Sequence, residues 1–200
     1  MLVEHRGIRP TIHPDAYVAV TAVVIGDVEI ASGARILHGA VITAEDGRVH
    51  IGENSIVMEN ALVRGRSGHE VRIGNSVMVG PHAHVNGSQV DDEAFIATGA
   101  ALFPGSTIGV GAEVRINGVV QVNTCVAAGQ VVPIGWIAVG DPAQVFSPDR
   151  HDEIWAIQRD LDFPGTVYGV SRDVSMRELM CLQSEYYGAH RNDRVVTTAT

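Results

Sequence analysis

The sequence predicts a mainly β protein: a parallel β-helix of about seven triangular coils over residues 1–146, followed by α-helices over residues 147–200. Three observations predict it. Aliphatic side chains recur every six residues along most of the chain. A small residue follows four positions after most of them. The composition, with 22 glycines, 5% aromatics and 46% hydrophobic residues, suits short strands punctuated by turns better than a helical bundle.

The aliphatic series opens with Ile12, Val18, Val24, Ile30, Ile36 and Ile42. It restarts at Ile51, Val57 and Val63, and after an interruption at Ile73, Val79 and Val85. One five-residue step gives Val90, and sixes continue through Ile96, Leu102, Ile108, Val114, Val120 and Val126. The small series includes Ala22, Ala34, Ala40, Ser55, Ala61, Ala83, Ala94, Ala100, Ser106, Ala112 and Thr124, with Val28 and Val77 as larger exceptions. Neither a helical nor a simple strand period produces this pattern. Each hexapeptide supplies one flat side and one corner of a prism. The aliphatic points inward and the small residue fits under the corner. Three hexapeptides close one coil, and coils stack through hydrogen bonds about 4.8 Å apart.

The repeats fade after Gly129, and Asp141-Pro142-Ala143 reads as a closing turn. Ser147-Pro148 reads as a helix start, and the stripe Ile154, Trp155, Ile157, Leu161 predicts a helix over 148–162 packed on the outside of the prism. Ser175 with Glu178 has capping-box spacing and starts a second helix through Leu179, Met180, Leu182 and Tyr186, with Gly188 at its end. The polar tail after Arg191 reads as frayed.

The bulk properties exclude several classes. A net charge of −9 without a basic run leaves no nucleic-acid surface. No apolar stretch reaches the roughly 18 residues of a membrane span. Two isolated thiols, Cys125 and Cys181, make no disulfide framework, and the first residues lack a signal-peptide core; a cytoplasmic protein is expected.

Four segments resemble one family. His13-Pro14-Asp15-Ala16-Tyr17-Val18, Val24-Ile25-Gly26-Asp27-Val28, Gly39-Ala40-Val41-Ile42 and Val139-Gly140-Asp141-Pro142-Ala143 are similar to the gamma-class carbonic anhydrases of the hexapeptide-repeat superfamily, over a stretch from His13 to Phe146. The resemblance implies a left-handed coil, a homotrimer, and three histidines binding a metal between two subunits. Those histidines fall on Arg64, Pro81 and Asn86. The family's nearby arginine and aspartate fall on Thr43 and Glu45, and its glutamine and second acid on Met58 and Glu59. A permanent cation, a proline and an amide make a poor zinc site. No metal and no cofactor are therefore expected there.

Residues just after the inward aliphatics point outward and form a column: Thr43, Arg64, Asn86, Phe103, Gln121. His84 flanks the same strand, His82 lies on the preceding corner, and Glu59 on the equivalent corner one coil earlier. In a trimer of this family that corner faces a neighbour's column. Glu59, His82 and His84 are thus the acid/base candidates, and Glu45, Arg64 and Asn86 the substrate-binding candidates, with Arg64 matched to a carboxylate or phosphate. A structural alternative makes Arg64 and Glu59 an intersubunit salt bridge. A further alternative uses His82, His84 and His38 as a relocated metal site. The loop from Arg64 to Arg72 carries His69, an acid/base candidate or a solvated turn residue. Asn117 and Gln121 are expected to line the same groove, and Cys125 to be an interface thiol.

Three functions follow. The first is a metal-independent trimeric enzyme doing acid/base chemistry on a small anionic metabolite at the subunit interface. The second is a CoA-dependent acyltransferase, which would bind acyl-CoA. The third is a non-catalytic trimeric scaffold.

Overall fold

The structure is a computed structural model, described here for residues 1–196. Three sheets form the sides of a prism, and successive strands visit them in strict rotation. The first sheet holds Leu2–Glu4, Val23–Ile25, Val41–Ala44, Leu62–Gly65, His84–Asn86, Ala101–Leu102, Val119–Val120 and Ile137–Val139, all parallel. The other two sheets have seven parallel strands each. Leu2–Glu4 pairs with Val23–Ile25 and adds a pass that the six-residue series does not include, so the first side is crossed eight times.

The six-residue register explains the core. Val24, Ile42, Val63, Val85, Leu102 and Val120 on the first side are fully buried, as are their counterparts on the other two. Ala22, Ala34, Ala40, Ala100 and Ala112 are equally buried, and Val28 and Val77 fit the same positions. Polar corner residues satisfy each other: the Ser55 hydroxyl donates to the Gly74 carbonyl and accepts from Val77 N–H. At several corners a left-handed residue sits over a glycine of the coil before. Asn60 (φ 58°) stacks on Gly39 so closely that a Cβ there would lie 2.2 Å from the Asn60 Oδ1.

Beyond Ile137–Val139 the chain turns back as the antiparallel strand Gln144–Phe146. Helix α1 covers only His151–Gln158, shorter than the pattern predicts, because Ser147 closes a turn with Arg150 instead of capping the helix. Its Ile154 and Ile157 pack with Leu161 on Val139 and Phe146, while Trp155 stays exposed. Asp162 then adopts a left-handed conformation and its carboxylate accepts from Gly165 N–H, starting α2 (Phe163–Tyr168).

Helix α3 (Met176–Tyr187) begins as the capping-box spacing predicts, with the Ser175 hydroxyl accepting from Glu178 N–H at 3.2 Å. Gly188 does not stop the chain's rotation: it keeps a right-handed φ of −58° and passes into a 3-10 turn over Gly188–Asn192. The expectation of a frayed tail after Arg191 is corrected for 194–196. Arg194–Val196 pairs antiparallel with Leu2–Glu4, whose outer edge would otherwise leave backbone groups unpaired. The rest of that tail, 197–200, lies outside the described residues.

Candidate functional site

The outward column is realised on the first sheet. Thr43, Arg64 and Asn86 are directly opposite one another on adjacent strands, and His84 stands opposite Leu62 and Ala101. Helices α2 and α3 lie over this face and close a groove of about 470 Å³. Its floor is Arg64, Arg66, His84, Asn86 and Phe103; its roof is Phe163, Val167, Tyr168, Met180, Gln183, Ser184 and Tyr187. The Arg64 guanidinium lies 6.0 Å from the Tyr187 ring centroid and the Arg66 guanidinium 5.8 Å from that of Tyr186. The Phe103 ring packs against Phe163 at 5.6 Å and edge-on to His84 at 6.1 Å.

Three residues of this groove carry unsatisfied atoms: Arg64 Nε, His84 Nε2 and Asn86 Oδ1 are buried without a hydrogen-bond partner. Gln121 Oε1 is a fourth such atom, but Gln121 lies one coil beyond Phe103 and, against expectation, does not line the groove. Some arginines elsewhere pair with acids, such as Arg48 with Glu29 and Arg115 with Glu113, while Arg35 bonds backbone carbonyls. Among the described residues, neither Arg64 nor the buried Arg66 has a carboxylate partner. Such orphans cost roughly 1–3 kcal/mol each, and folded proteins keep few of them. Burial, with the Arg64 charge beside it, lowers the His84 pKa below its ordinary 6.5. His84, which lines the groove, is therefore neutral at pH 7.

A latch holds the roof down. His5, at the end of the first strand, is buried and gives its Nδ1 to Asp193 Oδ1 at 2.6 Å. His190 bridges Asp193 Oδ2 at 2.8 Å and Glu45 Oε2 at 2.9 Å, and its ring stacks on His5 at 4.5 Å. Glu45 also accepts from the Thr43 hydroxyl. The Tyr186 hydroxyl donates to Asp46 at 2.6 Å, and burial with that contact raises its pKa. Donor atoms of His5, Glu45 and His190 lie within 4.8 Å of one another, which among the described residues is the one grouping close enough to share an ion. In the structure those donors are engaged in the hydrogen bonds just named.

The latch makes a pH prediction. Burial alone would lower the His190 pKa, but its bonds to Asp193 and Glu45 outweigh this and raise it. Asp193 is likewise pushed up by burial and pulled lower by His190 and His5. A raised histidine stabilises fully below about pH 6.5 and loses that contribution as pH rises through its folded pKa. A lowered carboxylate stabilises above about pH 4 and loses its contribution below. Hydrogen-exchange protection of the Arg194–Val196 strand will peak between these limits and fall on the alkaline side. His190→Gln will flatten that alkaline fall.

The remaining sequence candidates occupy other places. Arg64, His84 and Asn86 share the groove. Glu45 sits on the same face one coil earlier, tied into the latch. Glu59 and the exposed His82 are neighbours on the corner between the third and first sheets, His82 N–H donating to the Glu59 carbonyl, and neither lines the groove. His82 takes a left-handed corner conformation, φ 58°, which fixes it there. His38 belongs to the same corner column two coils away, near 10 Å by coil spacing, and bonds Thr21. Within one chain that is too far for His38 and His82 to share an ion. His69 closes a tight turn with Arg66 and lines a second cavity of about 280 Å³; burial and Arg66 lower its pKa. Asn117 is a correction: it is exposed at a corner over Gly99 and does not line the groove.

Sequence reasoning missed Arg66, the aromatic roof and the latch. The Tyr186-Tyr187 pair was a signal for the roof, since both fall on a helix whose Leu179 is its buried side chain. His5 had a weaker one, continuing the Leu2-Val3-Glu4 strand.

No family model matches the chain. A solved hexapeptide transferase family protein from Anaplasma phagocytophilum superposes with a TM-score of 0.51 at 20% identity, covering 94% of this chain and 93% of that one. At this identity the likeness is one of fold, a prism of stacked three-sided coils. In sequence the chain is similar to gamma carbonic anhydrases. It is 33% identical over 151 residues to gamma carbonic anhydrase 1, mitochondrial, and 32% over 157 residues to gamma carbonic anhydrase 2, mitochondrial, both of Arabidopsis thaliana, each match covering 72% of this chain. The chain spans about half of those relatives' length, 53% and 52%. It is also 27% identical over 154 residues to the carnitine operon protein CaiE of Salmonella agona, covering 74% of this chain and 72% of that protein. No helix among the described residues is long and apolar enough to cross a membrane.

Proposed function

We propose that the chain is a metal-independent enzyme that performs acid/base chemistry on a small anionic molecule in the groove under α2 and α3. The observation that carries this is the groove lined by Arg64, Arg66, His84 and Asn86, where neither guanidinium has a carboxylate partner among the described residues and Arg64 Nε, His84 Nε2 and Asn86 Oδ1 are buried without a hydrogen-bond partner. The guanidinium groups bind the anion, Asn86 orients it, and neutral His84 takes or returns a proton. The resemblance read from the sequence puts Arg64 and Asn86 where the gamma-class family's metal-binding histidines are expected. A guanidinium and an amide do not fit zinc, and the third position, Pro81, offers no donor.

The active form we propose is a homotrimer. Its support is the third side of the prism, where Met78, Phe95, Ile116 and Ile134 are exposed around a cavity of about 420 Å³. In that assembly Glu59 and His82 on the adjoining corner approach a neighbour's groove and complete it. The acyl-transfer reading has one observation in its favour: His69 borders its own cavity beneath α2. Acetyl-CoA binding by calorimetry, lost in His69→Ala and kept in His84→Ala, would establish it instead.

The test is titration of the His84 ring by NMR. Its pKa is expected below 6.5 and will rise when acetate or inorganic phosphate is added, because an anion beside Arg64 offsets the arginine's charge. Zinc analysis on protein purified without chelators is expected to give far less than one ion per chain. Stoichiometric zinc with carbon dioxide hydration, or a His84 ring blind to both anions, would overturn the reading.

A further inference from the structure

We infer that the groove's ligand is an arylalkanoate: a carboxylate joined through a short carbon chain to a planar apolar ring. This rests on the anion-binding reading above and names its substrate class. The stacking of coils orders the groove along the prism axis. Arg64 and Arg66 form one tier, His84 and Asn86 the next, and Phe103 the third. With coils about 4.8 Å apart, the cationic tier and the aromatic tier are separated by about 10 Å, and His84 stands midway.

Each tier selects one part of the ligand. At the first, Arg64 lines the groove without a carboxylate partner among the described residues. The planar guanidinium fork grips a planar carboxylate with two parallel hydrogen bonds. At the third, Phe103 on the floor meets Phe163 of the roof at 5.6 Å, and Phe163 meets Tyr168 at 6.2 Å. These rings, with Val167 and Met180, offer stacking and edge contacts but few polar groups. A ligand with charge at both ends leaves the aromatic tier unpaired. A small anion such as acetate leaves it unfilled. At the middle tier, His84 and Asn86 line the groove beside the carbons linking carboxylate and ring.

The experiment is calorimetry on the full-length protein with four probes: 3-phenylpropanoate, propanoate, 3-phenylpropan-1-ol and phenyl phosphate. The expected result is 3-phenylpropanoate binding at least ten-fold more tightly than each of the others. Phe103→Ala is expected to bring 3-phenylpropanoate down to the level of propanoate, with an unchanged melting temperature as the control for folding. Equal binding of propanoate and 3-phenylpropanoate overturns the ring assignment and leaves the anion site standing. Tighter binding of phenyl phosphate overturns the carboxylate assignment alone. Equal binding of the neutral alcohol, or no binding of any probe, overturns this inference and the anion-binding reading together.

Discussion

Gly47→Ala will lower the free energy of unfolding by about 3 kcal/mol, read from chemical denaturation. The coil corner at Gly47 lies directly against the next coil. A Cβ there would stand 2.0 Å from the Arg66 carbonyl oxygen and 2.6 Å from the Arg66 nitrogen. These are backbone atoms, so no rotamer change relieves the clash. The neighbour returns the constraint: a Cβ at Gly65 would stand 2.1 Å from the Gly47 oxygen. Two stacked coils would have to separate locally, breaking the pairing of Val41–Ala44 with Leu62–Gly65. Because Arg64 and Arg66 flank Gly65, anion binding will fall with stability. A denaturation midpoint equal to that of the unaltered protein would show that this corner is looser than its geometry implies.

Arg64→Met will weaken phosphate binding about 100-fold, followed through the His84 ring resonance. A charge-assisted bond to this half-buried guanidinium is worth about 3 kcal/mol, which corresponds to that factor. The same substitution will leave the melting temperature unchanged or raise it. Methionine fills much of the arginine's volume and removes a buried polar atom that has no partner in the chain. It will also raise the His84 pKa toward 6.5, since the nearby positive charge contributes to lowering it. Loss of stability without loss of anion binding would make Arg64 a structural residue.

The prism was legible because its code is local. Each inward aliphatic, from Val24 to Val126, is specified by its own position in a six-residue period, and the small residue under each corner repeats the message. The same register put Arg64 and Asn86 on one face with His84 beside them, since neighbours along a strand and across coils are fixed by counting. The roof was not legible. Phe163, Tyr168 and Tyr187 reach the groove through irregular turns at Asp162 and Gly169, both left-handed, and no period carries through such turns. The latch joins His5 to Asp193 across 188 residues, a contact that no local pattern encodes. The tail after Arg191 read as frayed because its polarity was visible and its pairing partner, the outer edge of Leu2–Glu4, was not.

Arg194–Val196 on the first coil and Gln144–Phe146 on the last both run against the direction of the prism's strands. A stack of parallel coils has no intrinsic reason to stop, because each terminal layer offers another chain the same hydrogen-bonding ladder its neighbours use inside. A reversed strand occupies that ladder in the wrong polarity for further growth. The arrangement therefore blocks end-to-end polymerisation on the first side of the prism, directing self-association sideways rather than into fibres.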